Sequence, residues 1–275
     1  MDQYKSKIID DFGHEWEKFN QLELNRNELN NIFNDYFDIF PWDKLSGKSK
    51  GIDFGCGTGR WGQLVAPKCK SLTLLDASSK SIMVAKQMLK NYKNTNFIIS
   101  DVTKVNIKDQ EYDFAYSLGV LHHVPNIDKA LIEINRILKK GAPFLIYLYY
   151  SFENAPIWYG LIWKGSNIIR KVVSILPKKF KMLICEVIAF SIYLPLARIS
   201  LFLEKLKIDI SNIPLSYYKN KTFYTMRTDA LDRFGTTFEK RYSKDEITKL
   251  LLSNGFHSIK FSSTKPYWCA VAYKK

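Results

Sequence analysis

A loop of alternating glycines followed at regular intervals by two aspartates carries the chemistry most legible in this chain. The loop reads Ile52-Asp53-Phe54-Gly55-Cys56-Gly57-Thr58-Gly59-Arg60. Alternating glycines let backbone approach a ligand closely, and a helix starting after them offers free N–H donors. A dinucleotide fingerprint, G-x-G-x-x-G, would need glycine where Arg60 stands. Asp53, two residues before Gly55, is badly placed beside a pyrophosphate and well placed to receive an ammonium group. The ligand these features imply is an adenosine carrying an amino acid. Asp76 and Asp101 follow at intervals of 23 and 25 residues, each after a short apolar run. Asp76 there can accept both hydroxyls of a ribose, and Asp101 can accept from an adenine amino group. Cys56 reads as a small spacer whose backbone N–H matters, and Trp61 as packing against the sheet.

Such residues need strand ends to hold them. Apolar strand candidates lie over 51–54, 72–75, 97–99, 114–117 and 144–149, alternating with helical patterns near 60–65, 80–90 and 127–139. That alternation predicts a parallel sheet covered by helices on both faces, with ligands outside the carboxyl ends of the strands. A helix over 244–253 follows, with Ser243 and Glu246 as a capping box and Gly255 as its stop, then strands near 257–262 and 268–273. Ahead of the sheet, Trp16, Phe19, Leu22, Leu29, Phe33, Phe37 and Phe40 recur at helical spacing, and Pro41 stops them.

In this order the motifs resemble those of the class I S-adenosylmethionine-dependent methyltransferases, in particular the small-molecule group. Asp53 to Gly59 look like the first motif, Leu75-Asp76 the second, and Ser100-Asp101 the third. Tyr112-Asp113-Phe114-Ala115-Tyr116-Ser117-Leu118-Gly119-Val120-Leu121-His122-His123-Val124 looks like the fourth. The resemblance covers 49–151 and 243–275, with Ala142 where the family often has a second glycine. It implies an α/β, Rossmann-like seven-stranded sheet, mostly parallel with the last strand antiparallel, carrying N-terminal helices and a mainly helical cap insertion. The implied domains are 1–45, covering the cofactor site; 46–151 with 242–275, the core; and 152–241, the cap. The implied cofactor is S-adenosyl-L-methionine, leaving as S-adenosyl-L-homocysteine. Its implied binding residues are Asp53, Gly55, Cys56, Gly57, Gly59, Asp76, Ala77, Asp101, Val102 and Ser117.

Methyl transfer to a hydroxyl also needs a base whose pKa lies near the operating pH. Among the four histidines, His122 and His123 follow the fourth strand, where similar enzymes place a base, and scaffolding is the competing role for either. His14 precedes the first helix, which in related enzymes folds over the cofactor. His257 lies after Gly255, far from the expected site, and reads as structural. Tyr147 and Tyr149 alternate onto one face at the end of the fifth strand, where one of them can meet the acceptor.

Composition narrows the partners. The chain has 275 residues, 41 Lys and Arg against 27 Asp and Glu, and a net charge of +14. That balance favours an anionic small-molecule acceptor, a lipid surface or nucleic acid. Against nucleic acid, the segment after strand four is Ser-Leu-Gly-Val rather than the Asn-Pro-Pro-aromatic used for base amino groups, and no RNA-binding module is visible. Four scattered cysteines form no C-x-x-C pair, so no metal site or disulfide framework is expected, and with no signal peptide the reading is cytoplasmic.

The insertion carries apolar stripes with basic residues, which suits an anionic substrate or a peripheral position on the inner face of the membrane. Its stretch over 183–203 reads as a cap or interfacial helix, because Glu186 and Arg198 leave only 11 uncharged residues between them. The sequence from Asp229 to Glu246 is similar to the tail of bacterial methyltransferases of surface-polysaccharide pathways. It makes a hydroxyl or phosphorus-linked acceptor the first expectation and a lipid or quinone acceptor the second. A cofactor-binding partner without activity remains a third.

Overall fold

The computed structural model describes residues 9, 10, 12, 13, 16–21, 24–153 and 155–275. The chain forms two compact units. The first joins the described residues up to 21 with Leu29–Ser151 and Glu239–Lys275; the second joins residues 24–28 with Phe152–Phe238. Residues 239–241, expected in the insertion, fall with the core. The backbone gives the reason: Lys240 donates to the His122 carbonyl at 3.2 Å and Tyr242 to the Tyr149 carbonyl at 2.8 Å.

The first unit is built on seven strands: β1 (Lys50–Phe54), β2 (Ser71–Asp76), β3 (Thr95–Ile99), β4 (Phe114–Leu118), β5 (Pro143–Tyr147), β6 (Phe256–Phe261) and β7 (Cys269–Lys274). Their spatial order is β3-β2-β1-β4-β5-β7-β6. Strands β1 to β5 run parallel, and β7 is antiparallel to both of its neighbours. Central strands of such a sheet are covered on both faces and read as near-continuous apolar runs, as Ser71-Leu-Thr-Leu-Leu and Pro143-Phe-Leu-Ile do.

From residue 24 onward the α-helices, in chain order, are α1 (Arg26–Phe37), α2 (Gly62–Val65), α3 (Ser79–Met88), α4 (Ile127–Ile137), α5 (Ile157–Val173), α6 (Lys178–Ile188), α7 (Leu194–Lys205), α8 (Phe223–Gly235) and α9 (Lys244–Ser253). Within the first unit, α3, α4 and α9 begin where the sequence places a cap. Ser78 accepts from Ser81, Asn126 from Lys129, and Ser243 with Glu246 closes a capping box. Helix α4 buries Ile127, Ala130, Leu131, Ile134 and Ile137 on one side, which is the face its 3.6-residue period dictates. The helix after the glycine loop is shorter than its pattern: α2 is one turn of four residues.

In the second unit, α6 and α7 form one continuous helix from Lys178 to Lys205, joined by a π-helical turn over Ala189–Tyr193. Pro195 sits in the first turn of α7, where its missing N–H breaks the i→i−4 ladder and the wider turn ahead absorbs the defect. This unit is also held by buried charge. The Arg170 guanidinium donates to the carbonyls of Thr236 and Thr237 at 2.9 and 3.1 Å, and Glu28 accepts from the Thr222 amide and the Thr225 hydroxyl at 3.0 and 2.7 Å.

Candidate active site

Sheet order brings β3, β2 and β1 side by side, so Asp101, Asp76 and Asp53 line one edge. Asp53 lies within β1, opposite Tyr116 of β4, and is only 1% exposed. Its Oδ2 and the Tyr116 hydroxyl both lack a well-formed hydrogen bond. Burial, reinforced by the charge of Asp76, pushes the Asp53 carboxyl well above the usual range, while Tyr116 and Arg60 oppose the shift. An orphaned buried carboxylate is expensive, and a cation supplied from outside would relieve it.

The glycine loop is pinned in a way its sequence does not reveal. Gly55 and Cys56 both donate to the Leu75 carbonyl, at 2.7 and 3.0 Å, and Gly59 donates to Cys56 at 2.8 Å. Gly57 donates to Asp76 Oδ2 at 2.9 Å, and Ser78 donates to Asp76 Oδ1 at 2.8 Å. These loop N–H groups are therefore spent within the protein, and they lie ahead of the helix start at Gly62. What the glycines supply is space. Gly55 has φ +80°, and a Cβ there would stand 2.4 Å from Val120; one on Gly57, φ +53°, would stand 3.2 Å from the Trp16 indole.

Asp76 is raised by desolvation and lowered by the backbone N–H groups it accepts, with the balance upward. The Cys56 thiol is buried and pushed well up, a neutral spacer rather than a nucleophile. Asp101 turns the chain after β3 by accepting from Thr103 at 2.9 Å. Two expected cofactor residues have other occupations. The Val102 side chain belongs to the hydrophobic core, and the fully buried Ser117 hydroxyl donates to the Phe54 carbonyl at 2.8 Å. Ala77, half-buried, follows Asp76 directly.

Beyond β4, the turn Leu121–His123 buries both histidines. The His122 ring stacks on Tyr149 at 3.8 Å between centroids and lies 4.0 Å from the His123 ring. Phe12 lies 4.9 Å from His123, which brings the N-terminal segment to the same end of the sheet. Neither nitrogen of His122 has a hydrogen-bond partner, and burial, then His123 and Arg241, holds its pKa well below 6.5. His14 lies outside the described residues. His257 pairs with the neighbouring Ser258 hydroxyl at 2.7 Å. Three contributors escaped sequence reasoning: Tyr116, Arg241, whose guanidinium lies 5.2 Å over the Tyr149 ring, and Tyr36, 5.0 Å from Tyr147.

Residues 52–146 match the family described as methyltransferase domain. This stretch contains the glycine loop, all three aspartates and the histidine turn. The chain carries a class I S-adenosylmethionine-dependent methyltransferase domain. An S-adenosylmethionine-dependent methyltransferase from Methanosarcina mazei shares its fold, with a TM-score of 0.52 and 16% identity over 86% of this chain and 98% of that one. The sterol 4-C-methyltransferase of Caenorhabditis elegans is 28% identical over 107 residues, 38% of this chain and 32% of the relative. The demethylmenaquinone methyltransferase of Staphylococcus carnosus (strain TM300) is 29% identical over 134 residues, 45% and 55% respectively. The matches thus span between a third and about half of these curated relatives' own lengths. The site suits a cationic ligand on one observation above the others: the buried Asp53 carboxylate, with no partner on Oδ2, beside a loop that only glycine can form.

Proposed function

We propose that this methyltransferase moves a methyl group from S-adenosyl-L-methionine to a small-molecule acceptor. The observation that carries the reading is the orphaned Oδ2 of Asp53, which is complementary to the amino acid's ammonium group. In this reading Asp76 holds the ribose, Asp101 the adenine amino group, and Gly55, Gly57 and Gly59 leave room for the chain between them. When bound, the cofactor supplies an electrophilic methyl on a sulfonium. His122, whose two ring nitrogens are unpaired, would take the acceptor's proton during methyl transfer, a step that needs the bound acceptor to offset the burial that disfavours its charged form. Trp16 over Gly57 and Phe12 beside His123 support a role for the N-terminal segment in excluding water.

For the acceptor, the first reading is an oxygen, or a nitrogen, on an anionic sugar- or phosphorus-linked metabolite. Its support is the charge of residues 152–238, thirteen basic side chains against six acidic. A lipid or quinone acceptor is the second reading, supported by the similarity to sterol and demethylmenaquinone methyltransferases and by the apolar surface described below. Calorimetry on the purified chain tests the cofactor. S-adenosylmethionine and S-adenosylhomocysteine should bind; binding of a nicotinamide dinucleotide in their place would overturn the proposal. Label transferred from S-adenosylmethionine into fractionated extract separates the two acceptor classes by partition into water or organic solvent.

A further inference from the structure

The second unit wears its apolar side chains outward. Seventeen large apolar residues between 152 and 238 are exposed, against four among the described residues of the first unit. On α5, Ile157, Leu161, Ile168 and Val172 are 93, 65, 66 and 55% exposed. At 3.6 residues per turn they fall within an arc of about 60°. The opposite face of α5 is inverted: Arg170 is 5% exposed and spends its guanidinium on the carbonyls of Thr236 and Thr237. A helix that buries its arginine and exposes its isoleucines is not patterned for water.

The helix Lys178–Lys205 repeats the arrangement. Lys181, Cys185, Ile188, Ala189, Tyr193, Ala197 and Ser200 are buried within the unit, whereas Phe180, Leu183, Val187, Phe190, Ile199 and Phe202 are exposed. By length and composition this helix could cross a membrane, with 28% of its most apolar stretch buried. A buried stripe that includes Lys181 and Ser200 argues instead for a helix lying flat, one side on protein and one side out.

The charges say what the outer side meets. Acids on the long helix are neutralised within the unit, Glu186 by Arg227 at 2.6 Å and Glu204 by Lys219. Lys164 and Lys171 are exposed about 20–40° beyond one edge of the α5 apolar arc. Lys179, Lys205 and Lys207 are exposed near the two ends of the long helix. Apolar stripes bordered by lysines, with the acids already paired, complement an anionic bilayer: the stripe enters the acyl boundary and the lysines reach the headgroups. Trp158, 43% exposed at the start of α5, suits the same interface.

We infer that residues 152–238 are a monotopic docking unit that seats the chain on an anionic lipid surface through α5 and the outer face of the long helix. The inference does not depend on the proposed activity. Its test is co-sedimentation of the full chain with vesicles of phosphatidylcholine containing about 30% phosphatidylglycerol, enough to set a negative surface potential. The chain should pellet with these and do so far less with phosphatidylcholine alone. Leu161→Glu with Ile168→Glu, both exposed and so compatible with folding, should weaken binding about tenfold or more. Lys164→Glu with Lys171→Glu should weaken it about tenfold or more on anionic vesicles and leave residual binding to neutral ones unchanged. Calorimetry with S-adenosylmethionine on the same variants should be unaltered, which keeps failure of docking distinct from failure of the cofactor reading. Equal binding to neutral and anionic vesicles, or a dimer in solution that the Leu161→Glu, Ile168→Glu variant dissolves while vesicles bind neither form, would overturn the inference.

Discussion

The imidazole of His122 lies nearly parallel to the phenol of Tyr149, 26° between planes and 3.8 Å between centroids, with both of its nitrogens unpaired. Stacking fixes the ring without using its lone pair, so orientation and proton acceptance are carried by different parts of the same side chain. His122→Phe separates them. It keeps the stack and the volume, so folding and S-adenosylmethionine affinity should persist, while methyl transfer should fall about 10²- to 10⁴-fold. Thermal unfolding, calorimetry and label transfer on one preparation check this. Loss of cofactor affinity in step with activity would assign His122 to the scaffold.

Asp53 predicts a conflict between stability and binding. Its folded-state pKa is raised, so its stabilising contribution is complete at low pH and is lost as pH rises through the folded value. Asp53→Asn removes that loss. Melting temperature at pH 8 should rise by a few degrees, and its decline with pH should be shallower but not absent, since Asp76 is raised as well. Affinity for S-adenosylmethionine should fall about ten- to a hundredfold as the ammonium loses its anion. An unchanged pH slope would show that Asp53 does not carry the buried charge.

Asp76 holds two backbone N–H groups, from Gly57 and Ser78, so it is a positioning residue for the loop whatever it does for a ribose. Asp76→Ala should unpin Gly57, cost about 2–4 kcal/mol of stability, and abolish cofactor binding. Asp76→Asn keeps an acceptor for one of the two donors and should recover much of the stability but little of the affinity. Urea unfolding beside calorimetry reads both.

Sheet and site were legible to different depths. Strand positions and the cap of α9 could be read because they depend on local residue types, such as the pair Ser243 and Glu246. The acids could be read because each follows its own strand. Tyr116 escaped because only interstrand register sets it opposite Asp53, and the spent N–H groups escaped because the Leu75 carbonyl that takes two of them belongs to a neighbouring strand. Val102 and Ser117 look like strand-end binding residues in the sequence, yet burial gives the first to the core and a backbone carbonyl takes the hydroxyl of the second. The long helix runs a few residues beyond the 183–203 read from its apolar run, and partners on Arg227 and Lys219 let Glu186 and Arg198 stay within it.

Gly55 and Val120 make the last test, because their packing is reciprocal. At φ +80° any side chain is strained, by about 1–2 kcal/mol, and the Cβ of Gly55→Ala would also meet Val120 Cγ1 at 2.4 Å and Cγ2 at 2.6 Å. Overpacking of that kind adds about 1–3 kcal/mol. Val120→Ala removes both methyls. The double variant Gly55→Ala, Val120→Ala should therefore recover part of the overpacking share of the loss, since Val120 Cβ would remain 2.9 Å away, and retain the backbone share. A double-mutant cycle by urea unfolding should return a coupling of about 1–3 kcal/mol between the two positions. Strict additivity would mean that the glycine is required for φ alone, and that Val120 does not close the loop from the β4 side.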